Sequence, residues 1–125
     1  MEAANILFVE DDPILRPMYA DRIREEGYQV DDVITGEQAQ KKLEENQYDL
    51  VLLDVMLPKM SGLDVLQWAR GRAETKDLPI VLLSALETDE DKTRGRELGA
   101  TDYIAKAEST PKTVVEAIKH YLNPQ

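Results

Sequence analysis

The sequence predicts an α/β domain in which five strands alternate with five helices. Three observations carry that expectation. Short runs such as Ile6-Leu7-Phe8-Val9, Leu50-Val51-Leu52-Leu53 and Ile80-Val81-Leu82-Leu83 are apolar at every position, the mark of strands covered on both faces. Longer amphipathic stretches separate them. The 125 residues, 42% of them hydrophobic, suffice for one compact core and argue against disorder.

Each element has its own local reason. The first helix is expected from Pro13 to about Glu26, with Asp12 as N-cap, Pro13 at the first helical position and Gly27 as C-cap. Pro17 is awkward inside it, because it removes a backbone donor and is expected to bend the first turns. Gln29 to Val33 is a weaker strand, interrupted by Asp31 and Asp32, and belongs at a sheet edge. The second helix covers about Glu37 to Asn46, with Ala39 and Leu43 on one face. A third covers Leu63 to Ala69 and is expected to bury Leu63, Leu66 and Trp68. The fourth spans Asp89 to Leu98 and ends at Gly99. Tyr103-Ile104-Ala105 is a short fifth strand, and Pro111 to Leu122 a fifth helix with Val114, Val115, Ile118 and Leu122 at helical spacing.

This alternation implies right-handed crossovers and a parallel sheet between two helical layers, a (βα)5 three-layer sandwich. The flavodoxin-like strand order 2-1-3-4-5 is the expected solution, with its ligand beyond the carboxyl ends of the central strands. One domain is expected to fill residues 1–125, with no effector domain among them.

Charge and composition exclude several functions. With 15 Lys+Arg against 25 Asp+Glu, the formal net charge is −10, and no basic run forms a patch, so nucleic acid is not an expected direct partner. The absence of cysteine removes disulfides, thiolate metal sites and cysteine nucleophiles. The amino terminus lacks the features of a signal peptide, and the apolar runs are too short to cross a bilayer. A cytoplasmic domain with no membrane association is expected.

The strand ends hold the chemistry. Glu10, Asp11 and Asp12 follow the first strand, Asp54 ends the third, Ser84 ends the fourth, and Lys106 follows the fifth. In the expected topology these groups meet at one edge. Crowded carboxylates repel unless a cation neutralises them, and oxygen ligands without histidine or thiolate favour Mg2+. Asp54 is the expected nucleophile for a phosphoryl group, with Mg2+, Lys106 and Ser84 stabilising charge on its oxygens. Glu10 and Asp11 are expected to hold the metal, directly or through water. Bland readings stand beside these: Asp11 and Asp12 as helix caps, Asp54 as a turn residue, Ser84 as a loop hydroxyl, Lys106 as a solvated charge. Their arrival at successive strand ends favours the functional reading.

The chain resembles the response regulator receiver domains of two-component signalling, the CheY-like fold, across essentially its whole length. The resemblance lies in Ile6-Leu7-Phe8-Val9-Glu10-Asp11-Asp12, Leu52-Leu53-Asp54-Val55-Met56-Leu57-Pro58, Met60-Ser61-Gly62, Leu82-Leu83-Ser84-Ala85 and Gly99 through Lys106. It implies that Asp54 takes phosphate from a histidine kinase or phosphotransfer protein. It further implies Asp11 and the Met56 carbonyl as Mg2+ ligands beside Asp54, Ser84 as switch hydroxyl, Tyr103 as switch aromatic and Lys106 as the phosphate-pairing lysine. The chain is then not an enzyme beyond self-phosphorylation and self-dephosphorylation. Asp12 is expected to remain a cap.

Phosphorylation would add charge and acceptor oxygens at Asp54. Ser84 is expected to move to the phosphoryl group and Tyr103 to turn inward, changing a partner-binding face made by the fourth helix, fifth strand and fifth helix. A phosphorylation-dependent dimer through that face is left open. One departure from the family pattern is Ala107, where proline is usual after the lysine, so the loop is expected to be trans or rebuilt. His120, the Lys92-Arg94-Arg96 stretch and Trp68 are expected to be solvated or structural. A phosphatase with an aspartyl-phosphate intermediate is disfavoured, because Val55-Met56 offers no second acid after Asp54. A flavin binder is disfavoured because three acids stand where a phosphate loop would be.

Overall fold

The computed structural model describes residues 3–85 and 88–122. Five strands, β1 (Asn5–Val9), β2 (Gln29–Val33), β3 (Leu50–Asp54), β4 (Ile80–Ser84) and β5 (Asp102–Ala105), form one parallel sheet in the order β2-β1-β3-β4-β5. The helices are α1 (Leu15–Glu25), α2 (Gly36–Glu45), α3 (Gly62–Arg70), α4 (Asp89–Glu97) and α5 (Pro111–Leu122), with a short 3-10 helix over Lys106–Glu108. This is the doubly wound α/β architecture that the alternation predicts.

Side-chain alternation divides the core between the two faces of the sheet. Ile6, Phe8, Leu50, Leu52, Val81 and Leu83 pack with α1 and α5, through Ala20, Ile23, Val114 and Ile118 among others. Leu7, Val9, Val51, Leu53, Ile80 and Leu82 pack with α2 and α3, through Ala39, Leu43, Val65 and Leu66. β2 lies at the edge, where its interrupting acids are accommodated. Asp31 accepts the Tyr48 hydroxyl at 2.6 Å, and Asp32 pairs with Arg16 and Arg24 at 3.2 and 3.0 Å.

Two helices differ from expectation. α1 begins at Leu15 rather than Pro13. Asp12 still caps it, its Oδ1 accepting the Ile14 and Leu15 amides, while Pro13 and Ile14 form the entering turn. Pro17 then falls in the first turn, where amides have no partner within the helix, so its missing N–H costs little. α3 buries Val65, Leu66 and Ala69, whereas Leu63 and Trp68 are only half-buried. The buried stripe follows Gly62, Val65, Leu66 and Ala69, three and four residues apart. Trp68 instead lies under the Arg72 guanidinium, 4.5 Å from its ring centre.

Helix termini follow their sequence signals. Ser61 and Asp64 form a capping box at the start of α3. Gly27 and Gly99 close α1 and α4 with φ of 99° and 102°, a conformation that L side chains rarely adopt. α4 is the least embedded helix, with Gly95 its one buried residue. Among the described residues no helix is long and apolar enough to cross a membrane.

Candidate functional site

Strand register assembles the acidic pocket. Val9 pairs with Leu53, so Glu10 and Asp54 emerge level with each other at the carboxyl edge. Asp54 pairs with Leu83 and Ser84 with Ala105, which brings Ser84 and then Lys106 to the same edge. Carboxylate oxygens of Glu10, Asp11 and Asp54 lie within 4.8 Å of one another. Glu10 and Asp54 are buried, and Asp11 is exposed at the mouth.

Each carboxylate is oriented by named partners. Asp54 Oδ1 accepts the Met56 amide at 3.1 Å, and Oδ2 accepts the Lys106 ammonium at 3.1 Å. Glu10 Oε2 accepts the Asp12 amide at 3.1 Å. Its Oε1 lies 2.7 Å from Lys106 Nζ, off the line of a hydrogen bond, and accepts no other. One ammonium thus serves two buried acids.

The titration of Asp54 reflects that shortage of positive charge. Burial, and then the Glu10 charge, push the Asp54 carboxyl up to about 7 against the opposing effects of Lys106 and the Met56 amide. Burial works against the Lys106 charge, but Glu10 and Asp54 outweigh it and hold its pKa above the usual lysine value. Buried acids sharing too little positive charge, one with an oxygen that accepts no hydrogen bond, fit a hard divalent cation. Glu10, Asp11 and Asp54 are the side chains placed to hold it.

The remaining expected residues fall as follows. Ser84 is fully buried, and Tyr103 is half-buried on the same sheet face, packed with Leu82. Tyr103 lies against α4 so closely that a Cβ on Gly95 would stand 3.2 Å from its ring. Asp12 stays outside the cluster as the α1 cap. His120, Arg94 and Arg96 are exposed, and His120 meets Tyr121 edge-on. Met56 is also exposed, its amide bound to Asp54. Among the described residues no peptide bond is cis, and the chain after Lys106 forms a 3-10 turn, the rebuilt loop that Ala107 predicts.

Gly62 belongs to the site, a role its sequence position does not announce. The loop after β3 folds back, and the Gly62 amide donates to the Val55 carbonyl at 2.9 Å. A Cβ on Gly62 would overlap the Asp54 carbonyl oxygen and stand 2.9 Å from Val55 Cα. Lys59 at φ 65° makes the return possible, a left-handed residue in a tight turn. A separate cavity of about 720 Å3 opens at the opposite edge of the sheet, beside Asn5, Tyr28 and Asp49. None of the clustered acids lines it.

Comparison with known proteins agrees with this geometry. The response regulator receiver domain family matches residues 6–119. The phosphate regulon transcriptional regulatory protein PhoB of Rhizobium meliloti is 36% identical over 122 residues, covering 96% of this chain and 54% of that protein. PhoB of Escherichia coli is 39% identical over 117 residues, covering 94% of this chain and 51% of it. The chain therefore spans about half the length of these curated relatives. Among solved structures, chemotaxis protein CheY4 of Vibrio cholerae superposes with a TM-score of 0.90 at 28% identity, covering 96% of this chain and 99% of that one. The BeF3-activated N-terminal receiver domain of RstA from Klebsiella pneumoniae superposes with a TM-score of 0.86 at 33% identity, covering 95% and 98%. With the family match extending over nearly the whole chain and the strand order and acidic edge in place, this chain belongs to the response regulator receiver domain family.

Proposed function

We propose that this domain accepts a phosphoryl group on Asp54 from a histidine kinase or phosphotransfer protein and switches a protein-binding face. Receiver domains generally take part in phosphotransfer with histidine kinases, on an aspartate, and bind Mg2+ in an acidic pocket. The observation that supports this reading most is Asp54 at a central strand end, 3.1 Å from Lys106 and beside Glu10 and Asp11.

An Asp54 oxygen attacks the phosphorus of the donor. The new P–O bond forms as the P–N bond to the donor imidazole breaks, and the ring nitrogen keeps the bonding pair. Lys106 pairs with the phosphoryl oxygens, and Ser84 donates to them after turning toward the mouth. Glu10, Asp11, Asp54 and the Met56 carbonyl would hold Mg2+. That ion supplies charge neutralisation for the incoming phosphoryl oxygens. Exposed Ile14 and Met56, on the two loops that flank the pocket, offer an apolar rim to an approaching partner.

Intact mass after incubation with a small phosphodonor tests the assignment. One adduct is expected in wild type with Mg2+, and none without Mg2+ or in Asp54→Asn. An unmodified wild type, or an adduct surviving in Asp54→Asn, would overturn it.

Downstream, Ser84 and Tyr103 would couple the pocket to the face made by α4, β5 and α5, where a partner or a second copy binds. Ser84→Ala is expected to accept phosphate yet lose at least about tenfold of the phosphorylation-dependent gain in partner affinity. Retention of the full gain would exclude Ser84 as the coupler. The domain acts as a cytoplasmic switch whose own chemistry is limited to gaining and losing this phosphoryl group.

A further inference from the structure

We propose that the hydrogen bond between Tyr19 and Ser109 positions the Lys106 ammonium over Asp54. This rests on the phosphoryl-acceptor reading and adds two positioning residues to it, neither of which touches the reacting atoms.

The loop carrying Lys106 has little of its own to fix it. No proline follows the lysine, and Lys106–Glu108 is a single 3-10 turn with Ala107 and Glu108 exposed. Lysine has a flexible stem and adopts a defined geometry only where its backbone and its partners hold it. The partners here are Glu10 Oε1 at 2.7 Å and Asp54 Oδ2 at 3.1 Å, so the ammonium must reach both together.

The hold comes at Ser109. Its amide donates to the Lys106 carbonyl at 3.1 Å, which closes the turn. Its Oγ lies 3.0 Å from the Tyr19 hydroxyl. Tyr19 is a rigid anchor: 4% exposed, within α1, its ring stacked on Phe8 at 6.2 Å and 14°. Phe8 lies in β1, two residues before Glu10. The loop is therefore tied at its far end to the same strand whose end receives the Lys106 charge. Phe8, Tyr19, Ser109, Lys106 and Glu10 make a closed circuit around the loop.

A purely structural bond would contribute about 1 kcal/mol of stability and nothing else. A positioning bond acts only through Lys106, and this difference decides the test. Phosphorylation of the full chain by a small phosphodonor with Mg2+ is followed by intact mass in Tyr19→Phe, Ser109→Ala and the double variant. Each single change is expected to slow the reaction about tenfold, with the double variant no slower than either single one. In a Lys106→Ala background, Tyr19→Phe is expected to change the rate by less than about twofold. Equal slowing with and without Lys106, or single variants as fast as wild type, would overturn the proposal.

A second measurement does not depend on phosphorylation. The Lys106 ammonium, held in two ion pairs, is expected to give a resolved 15N resonance in wild type that is lost in Tyr19→Phe. An unchanged resonance would also overturn the proposal. If wild type takes no phosphoryl group, the acceptor reading fails on its own, and the resonance alone decides the positioning.

Discussion

Gly62→Ala is expected to destabilise the fold by more than about 3 kcal/mol and to abolish phosphorylation of Asp54. The added Cβ, whose position the backbone fixes, would overlap the Asp54 backbone carbonyl oxygen, so no rotamer can relieve the clash. Relief requires α3 or the end of β3 to move, and each is fixed. β3 is buried throughout, and α3 is held by its capping box and by the Gly62 amide on the Val55 carbonyl. Gly71→Ala is the control. The nearest atoms to its Cβ are 3.6 and 3.8 Å away at a negative φ, so a change within about 1 kcal/mol is expected. Urea unfolding of the two variants checks the contrast, and similar midpoints would refute the argument from the Gly62 contact.

In metal-free protein, Asp54→Asn is expected to be more stable than wild type above pH 7, by roughly 2–4 kcal/mol. The sign follows from the direction of the shift. Burial and Glu10 raise the folded carboxyl to about 7, above its ordinary value of 3.8. The folded state therefore binds this proton more tightly than the unfolded state does. The stability this provides is fully present below about pH 4 and is lost as pH rises through 7, where a buried charge must be carried. Asparagine does not titrate, so the gap between variant and wild type should open between about pH 4 and 7 and then level. Urea unfolding with a chelator from pH 5 to 8.5 reads it. A variant less stable than wild type at pH 8 would mean that Lys106 over-compensates the buried charge.

Much of the fold and of the pocket is legible in the sequence. Fully apolar runs at residues 6–9, 50–53 and 80–83 specify strands buried on both faces, and the parallel crossovers leave few possible orders. The pocket follows, because Glu10, Asp54, Ser84 and Lys106 each sit immediately at or after a strand. What escapes a sequence depends on geometry rather than residue type. Asp12 and Pro13 signal a helix starting at Pro13, and the Asp12 side chain does cap the Ile14 and Leu15 amides, but Pro17 has no N–H to donate to the Pro13 carbonyl, so the regular helix begins at Leu15. Val65 carries the buried stripe of α3, while Trp68, the largest apolar side chain there, remains half-buried beneath Arg72. Gly62 and the Tyr19–Ser109 pair are hidden for a related reason. A close backbone approach and a contact spanning 90 residues leave no periodic trace in a sequence.

The uneven embedding of the helices sets where stored free energy can be redistributed. Every residue of β3 and β4 is buried, whereas α4 contributes only Gly95 to the interior. Local opening free energies follow such differences, so α4 should exchange its amide hydrogens well before the central strands do. A change at the pocket that favours one arrangement over another by roughly 2–3 kcal/mol, an order typical of coupling between sites, cannot repack the strands. It is ample to invert the populations of a helix whose alternatives lie close in energy. Under the proposed switch, the poverty of contacts beneath α4 would make a small perturbation at the pocket readable at a distance.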